Sequence, residues 1–339
     1  MTKTRFFLTG ATGYIGGSVL TRLLSHPQAD TFHITVLVRD PSKISQFKRF
    51  GINPVQGSNA NLALLREQAA NTDLVIACAD ADDEDAAKAI LQGLKDHHKK
   101  TGRTPSLIHT SGTGVLSDNA QGRFAADRIY SDLNIPQLES LPKTQPHRVV
   151  DLSLVEADKE GYVKTYIILP CTIYGIAKGC LVDAGLQNPH SQQIPTLVRL
   201  SVDRRRAGMV GEGKNVWNNV HIDEVADLYI LLVDLIISGS VYSIAPKHFE
   251  HGVAGFYFAE NGEHTLRSIG DAIGKVLVSK GITSNATPTT FTEEEHKRYF
   301  PNGTSLGTNS RCHADRARSI GWKPRKTTQD MLASVKDEF

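Results

Sequence analysis

A glycine-rich turn close to the first residue constrains the fold of this chain more than any other feature. The segment Thr9-Gly10-Ala11-Thr12-Gly13-Tyr14-Ile15-Gly16-Gly17 lies between a strand-like run, Phe6 to Thr9, and a helical pattern, Gly16 to Ser25. Glycine permits a tight bend, close approach of the main chain to a ligand and close packing of helix against strand. Because the first N–H groups of a helix attract phosphate, the turn predicts a dinucleotide site of the Rossmann type.

The glycines of this turn have separate predicted roles. Gly10 allows the bend, Gly13 lets the main chain approach the pyrophosphate, and Gly16 lets the helix pack close to the strand. The cofactor-binding residues predicted in the turn are Gly10, Thr12, Gly13, Tyr14, Ile15 and Gly16.

The end of the second predicted strand, Val36-Leu37-Val38-Arg39-Asp40, indicates which dinucleotide binds. An NAD site usually places a carboxylate at this strand end for the ribose 2′-hydroxyl, whereas a guanidinium pairs with the 2′-phosphate of NADP. Val38 stands at that position and Arg39 follows it, with Lys43 one turn further on. We therefore predict NADP in preference to NAD, although a small shift in register would bring Asp40 to the ribose instead.

Strand-like and helix-like patterns alternate through the first half of the chain. This alternation predicts an α/β fold with a doubly wound, mostly parallel sheet. The predicted strands are Phe6–Thr9, Phe32–Val38, Asn53–Gln56, Leu74–Ala77, Ser106–His109 and Thr165–Leu169. The predicted helices are Gly16–Ser25, Leu62–Ala70, Glu84–Lys100 and His147–Lys159, and a long polar segment covers Ser117–Gln145.

The second half of the chain changes character. Its patterns predict helices over Ile194–Arg206, Val220–Ile237 and Thr265–Lys280, a strand over Gly255–Phe258 and a looser tail. We assign residues 1–175 to a dinucleotide-binding domain, to which residues 217–260 return. Residues 176–339 mainly form a smaller substrate-binding lobe that closes over the cofactor.

Composition and charge exclude several classes of protein. The 38 basic and 36 acidic residues leave a net charge of +2, which gives no broad attraction for nucleic acid or an anionic membrane. The longest apolar stretch, Leu228–Ile237, contains Asp234 and falls far short of the ~20 residues of a membrane span. The four cysteines lack CxxC spacing, which predicts no metal site, and no signal-peptide pattern opens the chain. We expect a cytoplasmic protein with a small-molecule substrate, and a homodimer is left open.

Segments along nearly the whole chain resemble the short-chain dehydrogenase/reductase superfamily. The branch they resemble is the extended and atypical one, which includes NAD-dependent epimerase/dehydratase and dihydroflavonol-reductase-like proteins. The segments are Thr9–Gly16, Leu74–Ala79, Ile108–Thr113, Leu169–Gly175, Trp217–Ala226 and Gly321–Pro324. In this family the segment that corresponds to Leu74–Ala79 flanks the adenine. The one that corresponds to Ile108–Thr113 ends strand five, and the one that corresponds to Leu169–Gly175 lies beside the nicotinamide. The resemblance implies that Ala79, Thr110 and Pro170 also contact the cofactor.

The chain departs from this family where the chemistry is expected. Reductases of the family carry a Tyr-x-x-x-Lys pair on the helix before strand six, and its tyrosine passes a proton to the substrate carbonyl. Only Tyr174 has a lysine at that spacing, Lys178, and this pair follows strand six. Counting back from Pro170, the position of the pair holds His147-Arg148-Val149-Val150-Asp151. Standard tyrosine chemistry is therefore not expected.

Two classes of function follow. In the preferred one, the chain is an NADP-dependent oxidoreductase that reduces a carbonyl group of a small organic metabolite. His147 replaces tyrosine as the proton donor, and Asp151 at i+4 holds the imidazolium. Ser111 or Thr113 orients the substrate oxygen. In the other class, the chain binds NADPH without turnover and acts as a sensor or regulatory protein.

The long C-terminal region favours the enzyme. It offers polar and aromatic candidates for substrate contact in Trp217, Asn218 and Asn219. A further alternative is a nucleotide-sugar epimerase or dehydratase, in which Arg204–Arg206 would hold a phosphate. We do not favour it, because three adjacent arginines point in different directions around a helix.

Overall fold

The structure is a computed structural model and describes residues 3–239 and 246–339. Its strands are β1 (Thr4–Thr9), β2 (Phe32–Val38), β3 (Asn53–Gln56), β4 (Leu74–Ala77), β5 (Ser106–Thr110), β6 (Tyr130–Ser131), β7 (Lys164–Pro170), β8 (Thr172–Tyr174), β9 (Gly208–Met209), β10 (Val216–His221), β11 (Phe256–Ala259), β12 (Glu263–Thr265), β13 (Thr289–Thr290) and β14 (Cys312–His313). Its α-helices are α1 (Tyr14–Leu24), α2 (Ile44–Arg49), α3 (Leu62–Ala70), α4 (Glu84–Thr101), α5 (Ile135–Glu139), α6 (Arg148–Lys159), α7 (Cys180–Asp183), α8 (Gln193–Asp203), α9 (Ile222–Gly239), α10 (Leu266–Ser279), α11 (Glu293–Tyr299), α12 (Asp315–Ser319) and α13 (Thr328–Ser334). Neither range contains a helix with the length and apolar character needed to cross a membrane.

Within the described residues, seven strands form one sheet in the order β3-β2-β1-β4-β5-β7-β11. Every neighbouring pair in this sheet is parallel. Helices α1 and α9 pack on each other, and α4 packs against α3 and α6. The arrangement confirms the predicted Rossmann-type α/β fold. The strand order reverses between β1 and β4, and ligands of such sheets bind in the crevice outside the carboxyl ends of the strands at this point.

The central strands are continuous apolar runs because helices cover both faces of the sheet. Phe6, Phe7 and Leu8 of β1 and Val75 and Ile76 of β4 are at most 1% exposed. Full burial of an apolar side chain of this size contributes about 1.5–3 kcal/mol. The core therefore fixes the positions of the strand ends, where the functional residues lie.

The C-terminal lobe has an apolar core of its own. Helices α8, α10 and α13 contact the small sheet β12-β10-β8, in which β10 is parallel to β8 and antiparallel to β12. The side chains buried at its centre include Ile194, Leu197, Ile269, Ile273 and Met331. Strand β8, which follows β7 directly along the chain, thus connects the lobe to the main sheet.

Parts of the second half pack on the main sheet. Strand β11 pairs with β7, and α9 packs on α1. The carboxylate of Asp132 accepts the main-chain N–H groups of Phe258 in β11 and Arg316 in α12, at 3.0 and 2.7 Å. The indole N–H of Trp322 donates to the carbonyl of Glu224, at 2.8 Å. These bonds attach the last part of the chain to the edge of the sheet.

Two predictions about the elements were wrong. Val220–Ile237 was predicted as one helix, but Val220 and His221 belong to β10, where they pair with β8. A short apolar run does not distinguish a strand from the start of a helix. The polar segment Ser117–Gln145 and the tail also contain short elements, namely β6, α5, α11, α12 and α13. Elements of two to seven residues are too short for periodicity to reveal.

Candidate cofactor and active site

The carboxyl ends of the parallel strands bring the predicted site residues to one edge of the sheet. Thr9 at the end of β1 pairs with Ala77 at the end of β4, and Ala77 pairs with His109 in β5. Thr110 at the end of β5 pairs with Ile168 in β7. The loops after β1, β4, β5 and β7 therefore border the same crevice.

The glycine turn lies directly against the end of β4. Gly10 has a φ of +78°, and a Cβ at this residue would lie 2.6 Å from the carbonyl oxygen of Cys78. A Cβ at Gly16 would overlap the carbonyl oxygen of Gly10. Only glycine meets both the conformational demand at residue 10 and the steric demand at residue 16. The turn has the shape that a Rossmann dinucleotide site requires.

The first turn of α1 fits a diphosphate. Gly13 is the N-cap, and no side chain caps the helix in the described part of the chain. The N–H of Gly13 donates to the carbonyl of Gly10, at 2.9 Å. The N–H groups of Tyr14 and Ile15 belong to the first turn, where a helix has no partner of its own to offer them. An anion at this position would receive these hydrogen bonds and the favourable end of the helix dipole.

One side chain and one main-chain carbonyl of the turn form hydrogen bonds to the lobe. The hydroxyl of Tyr14 donates to the carbonyl of Gly175, so the Tyr14 side chain is directed to the lobe and its main chain to the turn. The carbonyl of Thr12 accepts the N–H of Asn188, at 2.9 Å. The Tyr14 hydroxyl and the Thr12 carbonyl are therefore bonded to the lobe. The cofactor contacts predicted for these two residues concern their other groups.

The end of β2 presents a free cation. Arg39 is exposed, and its guanidinium has no hydrogen-bond or ion-pair partner among residues 3–239 and 246–339. Asp40 accepts hydrogen bonds from the N–H and hydroxyl of Ser42, at 2.9 and 2.7 Å, and these bonds lower the pKa of the Asp40 carboxyl. Lys43 donates to the carbonyl of Leu186 in the lobe, at 3.3 Å. Asp40 thus caps the turn that follows β2, while Arg39 stays available.

The residues predicted at the other strand ends differ in what they offer. The hydroxyl of Thr110 lies 2.5 Å from the hydroxyl of Tyr229 and is buried, so this hydroxyl is not available to a cofactor. Ala79 is exposed just after β4, and Pro170 is buried at the end of β7.

His147 has a different carboxylate partner from the one predicted. Its Nδ1 and its main-chain nitrogen each lie 2.9 Å from Oδ1 of Asp82, in the loop between β4 and α4. The prediction that Asp151 holds the imidazole was wrong about this contact. His147 is the N-cap of α6 with a φ of +66°, so the i,i+4 spacing within a helix does not apply to it.

The other edge of the His147 ring lies over the loop that follows β5. A Cβ at Gly112 would lie 3.1 Å from Nε2 of His147, and a Cβ at Gly114 would lie 3.2 Å from it. Gly112 is extended, with a φ of −167°, so its requirement for glycine is steric. Gly112 and Gly114 have no side chain where the imidazole lies. Nε2 of His147 therefore faces the main chain of this loop.

Ser111, Thr113 and Asp151 lie beneath this surface. The hydroxyl of Ser111 donates to Asp151 at 3.1 Å, and both side chains are buried. Burial raises the pKa of Asp151 to about 7, against the lowering effects of the Ser111 hydrogen bond and the charge of Arg148. Thr113 is fully buried, and its hydroxyl has no partner within the described chain. The hydroxyl predicted to orient a substrate is therefore engaged by Asp151 in the case of Ser111, whereas that of Thr113 has no partner in the described chain.

Two residues of the site were missed by sequence reasoning. Asp82 stands in an acid-rich run after β4, which reads as a solvated loop. His109 stands in β5 and is buried; burial, and then the proximity of His147, lower the pKa of His109 to about 4. A histidine within an apolar strand was the available signal for His109, whereas nothing local pairs Asp82 with His147.

The lobe residues predicted to contact substrate have structural partners instead. Trp217 donates its indole N–H to the carbonyl of Thr308, at 2.7 Å. Asn218 accepts the N–H of Cys312 at 2.7 Å, and Asn219 accepts the hydroxyl of Thr328 at 2.9 Å. These three side chains therefore assemble the lobe.

The side chains of Arg204, Arg205 and Arg206 are also bonded within the lobe. Arg204 pairs with Glu295 at 2.8 Å and is nearly buried. Arg205 donates to the carbonyl of Ile282 at 2.9 Å, and Arg206 to the carbonyl of Thr287 at 3.2 Å. Each guanidinium has a protein partner, and the three bind different parts of the lobe.

Comparison with known proteins agrees with this geometry. The sequence pattern of an NAD(P)H-binding family matches residues 10–129. Oxidase ucsJ of Acremonium sp is 30% identical, over 96% of this chain and 93% of that protein. An uncharacterized protein of Schizosaccharomyces pombe is 25% identical, over 96% of both chains.

Solved structures share the fold over almost the full length. A UDP-glucose 4-epimerase of Thermotoga maritima, with UDP-glucose, superposes with a TM-score of 0.66 at 13% identity, covering 99% of this chain and 98% of the other. A dTDP-glucose 4,6-dehydratase of Streptomyces venezuelae, with NAD bound, gives 0.64 at 18% identity, covering 99% and 96%.

The fold and the glycine turn define an NAD(P)-binding protein of the Rossmann class. Within that class, the chain belongs to the same family as the Acremonium protein named oxidase ucsJ, and it shares the fold of the epimerase and dehydratase structures.

Gly13 and Gly16 of the turn are expected to respond differently to substitution by alanine. A Cβ at Gly13 meets nothing nearer than the Gly10 carbonyl oxygen, at 3.2 Å, so Gly13→Ala should fold but weaken NADPH binding about tenfold or more. Gly16→Ala, which overlaps main-chain atoms, should lower the free energy of unfolding by about 1–3 kcal/mol. Calorimetric titration and urea unfolding of both variants check this, and wild-type affinity in Gly13→Ala would contradict it.

Asp151 should make stability depend on pH. Its native carboxyl holds a proton up to about pH 7, whereas an unfolded one loses it near 3.8. The native state then binds more protons across this window, so the free energy of unfolding of the wild type falls as the pH rises. Asp151→Asn should gain stability relative to the wild type from about pH 4 to about pH 7 in urea unfolding. The exposed Asp85→Asn is the control, and a pH-independent difference for Asp151→Asn would refute the prediction.

Proposed function

We propose that this protein is an NADP(H)-dependent oxidoreductase that reduces a carbonyl group of a small organic molecule, with His147 as the proton donor. The observation that carries the proposal is the placement of the His147 imidazole. It is held through Nδ1 by Asp82, and its Nε2 edge lies over the bare loop Gly112–Gly114 at the carboxyl edge of the sheet. The glycine turn borders the same carboxyl edge of the sheet.

A nicotinamide coenzyme bound at the turn would supply the hydride that reduces the carbonyl carbon. His147 then donates the Nε2 proton to the carbonyl oxygen, which yields the alcohol and a neutral ring. Asp82 remains bonded at Nδ1 and balances the charge of the imidazolium before the transfer. The His147 side chain is 22% exposed, which leaves room for a substrate to reach it. Ser111 and Asp151 support the loop and α6 from below without touching the substrate.

The preference for NADP is supported by three side chains after β2. Arg39 is unpaired within the described residues and is free to bind a 2′-phosphate bidentately. Asp40, which would repel that phosphate, is turned to Ser42. Lys43 lies one turn further on and adds a second positive charge near the end of β2, while its ammonium group donates to the carbonyl of Leu186.

A nucleotide-sugar epimerase is less well supported. The arginines that would hold a sugar-nucleotide phosphate are each bonded within the lobe. The substrates named for the similar structures belong to those enzymes, whose identity to this chain is below 20%. The name oxidase given to the Acremonium protein is in keeping with redox chemistry.

A second candidate is an NADPH-binding regulatory protein without turnover. It is favoured by one observation: the hydroxyl of Ser111 is turned away from the crevice to the buried Asp151. The two candidates differ in whether NADPH is consumed in the presence of a carbonyl compound.

Arg39 should set the coenzyme preference. Arg39→Ala removes the cation that pairs with the 2′-phosphate, so NADPH affinity should fall about tenfold or more while NADH affinity stays the same. Calorimetric titration with both coenzymes measures the change. Arg49→Ala removes an exposed charge from the end of α2 and serves as the matched control. Equal affinities of the wild type for NADPH and NADH would contradict the assignment.

His147 should be required for turnover and not for coenzyme binding. His147→Gln cannot donate a proton at Nε2, so the rate of carbonyl-dependent NADPH oxidation should fall about 100-fold or more. The NADPH dissociation constant should stay within about twofold of the wild type. His33→Gln, an exposed substitution near the start of β2, is the control. A wild-type rate in His147→Gln across a panel of ketones and aldehydes would remove His147 from the mechanism.

A further inference from the structure

We infer that Asp82 is the positioning residue of this site: it fixes His147 with the proton on Nδ1, so that Nε2 is the atom that exchanges a proton with the substrate. Asp82 also connects the ring to solvent. The inference rests on the proposed function only for the transfer to substrate, because the fixing of the ring is a property of this chain alone.

Two hydrogen bonds converge on one oxygen of Asp82. Its Oδ1 accepts the main-chain N–H of His147 at 2.9 Å and lies 2.9 Å from Nδ1 of the same residue. An ionised carboxylate accepts hydrogen bonds and cannot donate them. Nδ1 therefore carries the hydrogen, and in the neutral ring the lone pair is on Nε2. The geometry selects one of the two tautomers.

The same carboxylate holds the main chain of His147. This residue has a φ of +66° and a ψ of −18°, a left-handed conformation that residues other than glycine rarely adopt. Such conformations persist where surrounding contacts hold them in place. Because Asp82 bonds both the main chain and the ring, it limits the movement of Nε2 relative to Gly112 and Gly114.

The other charged or titratable groups near the ring do not replace Asp82. His109 of β5 is buried and neutral near pH 7, since burial and His147 lower its pKa to about 4. Asp151 of α6 is bonded to Ser111, and Arg148 donates to the carbonyl of Leu138. In the described part of the chain, the His147 ring donates its hydrogen bond to the carboxylate of Asp82.

Asp82 is also the solvent-facing end of the pair. Its side chain is 62% exposed, against 22% for His147. After Nε2 has given its proton to a substrate oxygen, the neutral ring must recover a proton from water before the next cycle. A carboxylate bonded at Nδ1 favours that return, because it is attracted to the imidazolium.

Histidine tautomers provide a test that needs no turnover. In the full-length protein with 15N-labelled histidine, the neutral ring of His147 should show a protonated Nδ1 in long-range 1H–15N spectra. Its signals are identified by their loss in His147→Gln. Asp82→Ala should release the ring to a mixture of both tautomers, whereas Asp85→Ala, an exposed carboxylate in the first turn of α4, should leave the spectrum unchanged.

Kinetics of the same variants test the link to transfer. Asp82→Ala should lower kcat for carbonyl-dependent NADPH oxidation about 100-fold at unchanged NADPH affinity. Asp82→Asn keeps an oxygen that accepts the main-chain N–H, so it should retain the wild-type Tm and still lose part of kcat with the charge. Asp85→Ala should keep the wild-type kcat.

The outcomes separate this inference from the proposed function. A wild-type tautomer and a wild-type kcat in Asp82→Ala overturn the inference, even where His147→Gln abolishes turnover. A changed tautomer in Asp82→Ala, with kcat indifferent to both Asp82→Ala and His147→Gln, overturns the proposed function and upholds Asp82 as the residue that fixes the ring.

Discussion

The close approach of the β1–α1 turn to the end of β4 is the constraint on which the rest of the structure depends. Gly10 lies against the carbonyl of Cys78, and Gly16 lies against the carbonyl of Gly10, so no side chain fits at either point. These contacts aim the uncapped first turn of α1 into the crevice where the strand order reverses. The lobe contacts the same turn through Thr12 and Tyr14, so its position depends on the shape of this turn.

The pair of His147 and Asp82 is held at the same sheet edge by two neighbouring helices. Asp82 lies just before α4 and His147 caps α6, and these helices pack against each other. Their packing brings together a carboxylate and an imidazole from separate loops, and the glycines after β5 leave space for the ring. The chain thus has an NAD(P)-binding fold, and the proposed proton donor, His147, is held by a carboxylate from another loop.

Local features of the sequence predicted the fold and the cofactor turn well. The bounds of β2, β3, β4 and α3 agree with those predicted. Strands β2 and β4 are compact apolar segments with clear ends. The hydrogen-bond partner of His147 could not be found in this way. Asp82 is 65 residues from His147, and only the packing of α4 on α6 brings them together. The i,i+4 rule selected Asp151 because it assumed a helical His147, whereas that residue has a positive φ.

Other errors had the same origin. Trp217, Asn218 and Asn219 are polar or aromatic residues in a lobe, and sequence alone cannot show that the lobe itself uses up their hydrogen bonds. Thr110 likewise turns its hydroxyl to Tyr229, a residue of α9 on a distant part of the chain. Local pattern shows which residues can act, and tertiary contacts decide which of them are free to do so.

The most direct test of the central claim is a crystal structure of the protein grown with saturating NADPH. The diphosphate should lie against the N–H groups of Tyr14 and Ile15, with the 2′-phosphate at Arg39 and the nicotinamide on the side of the crevice that holds His147. An empty crevice at saturating coenzyme, or a diphosphate bound away from the glycine turn, would contradict it.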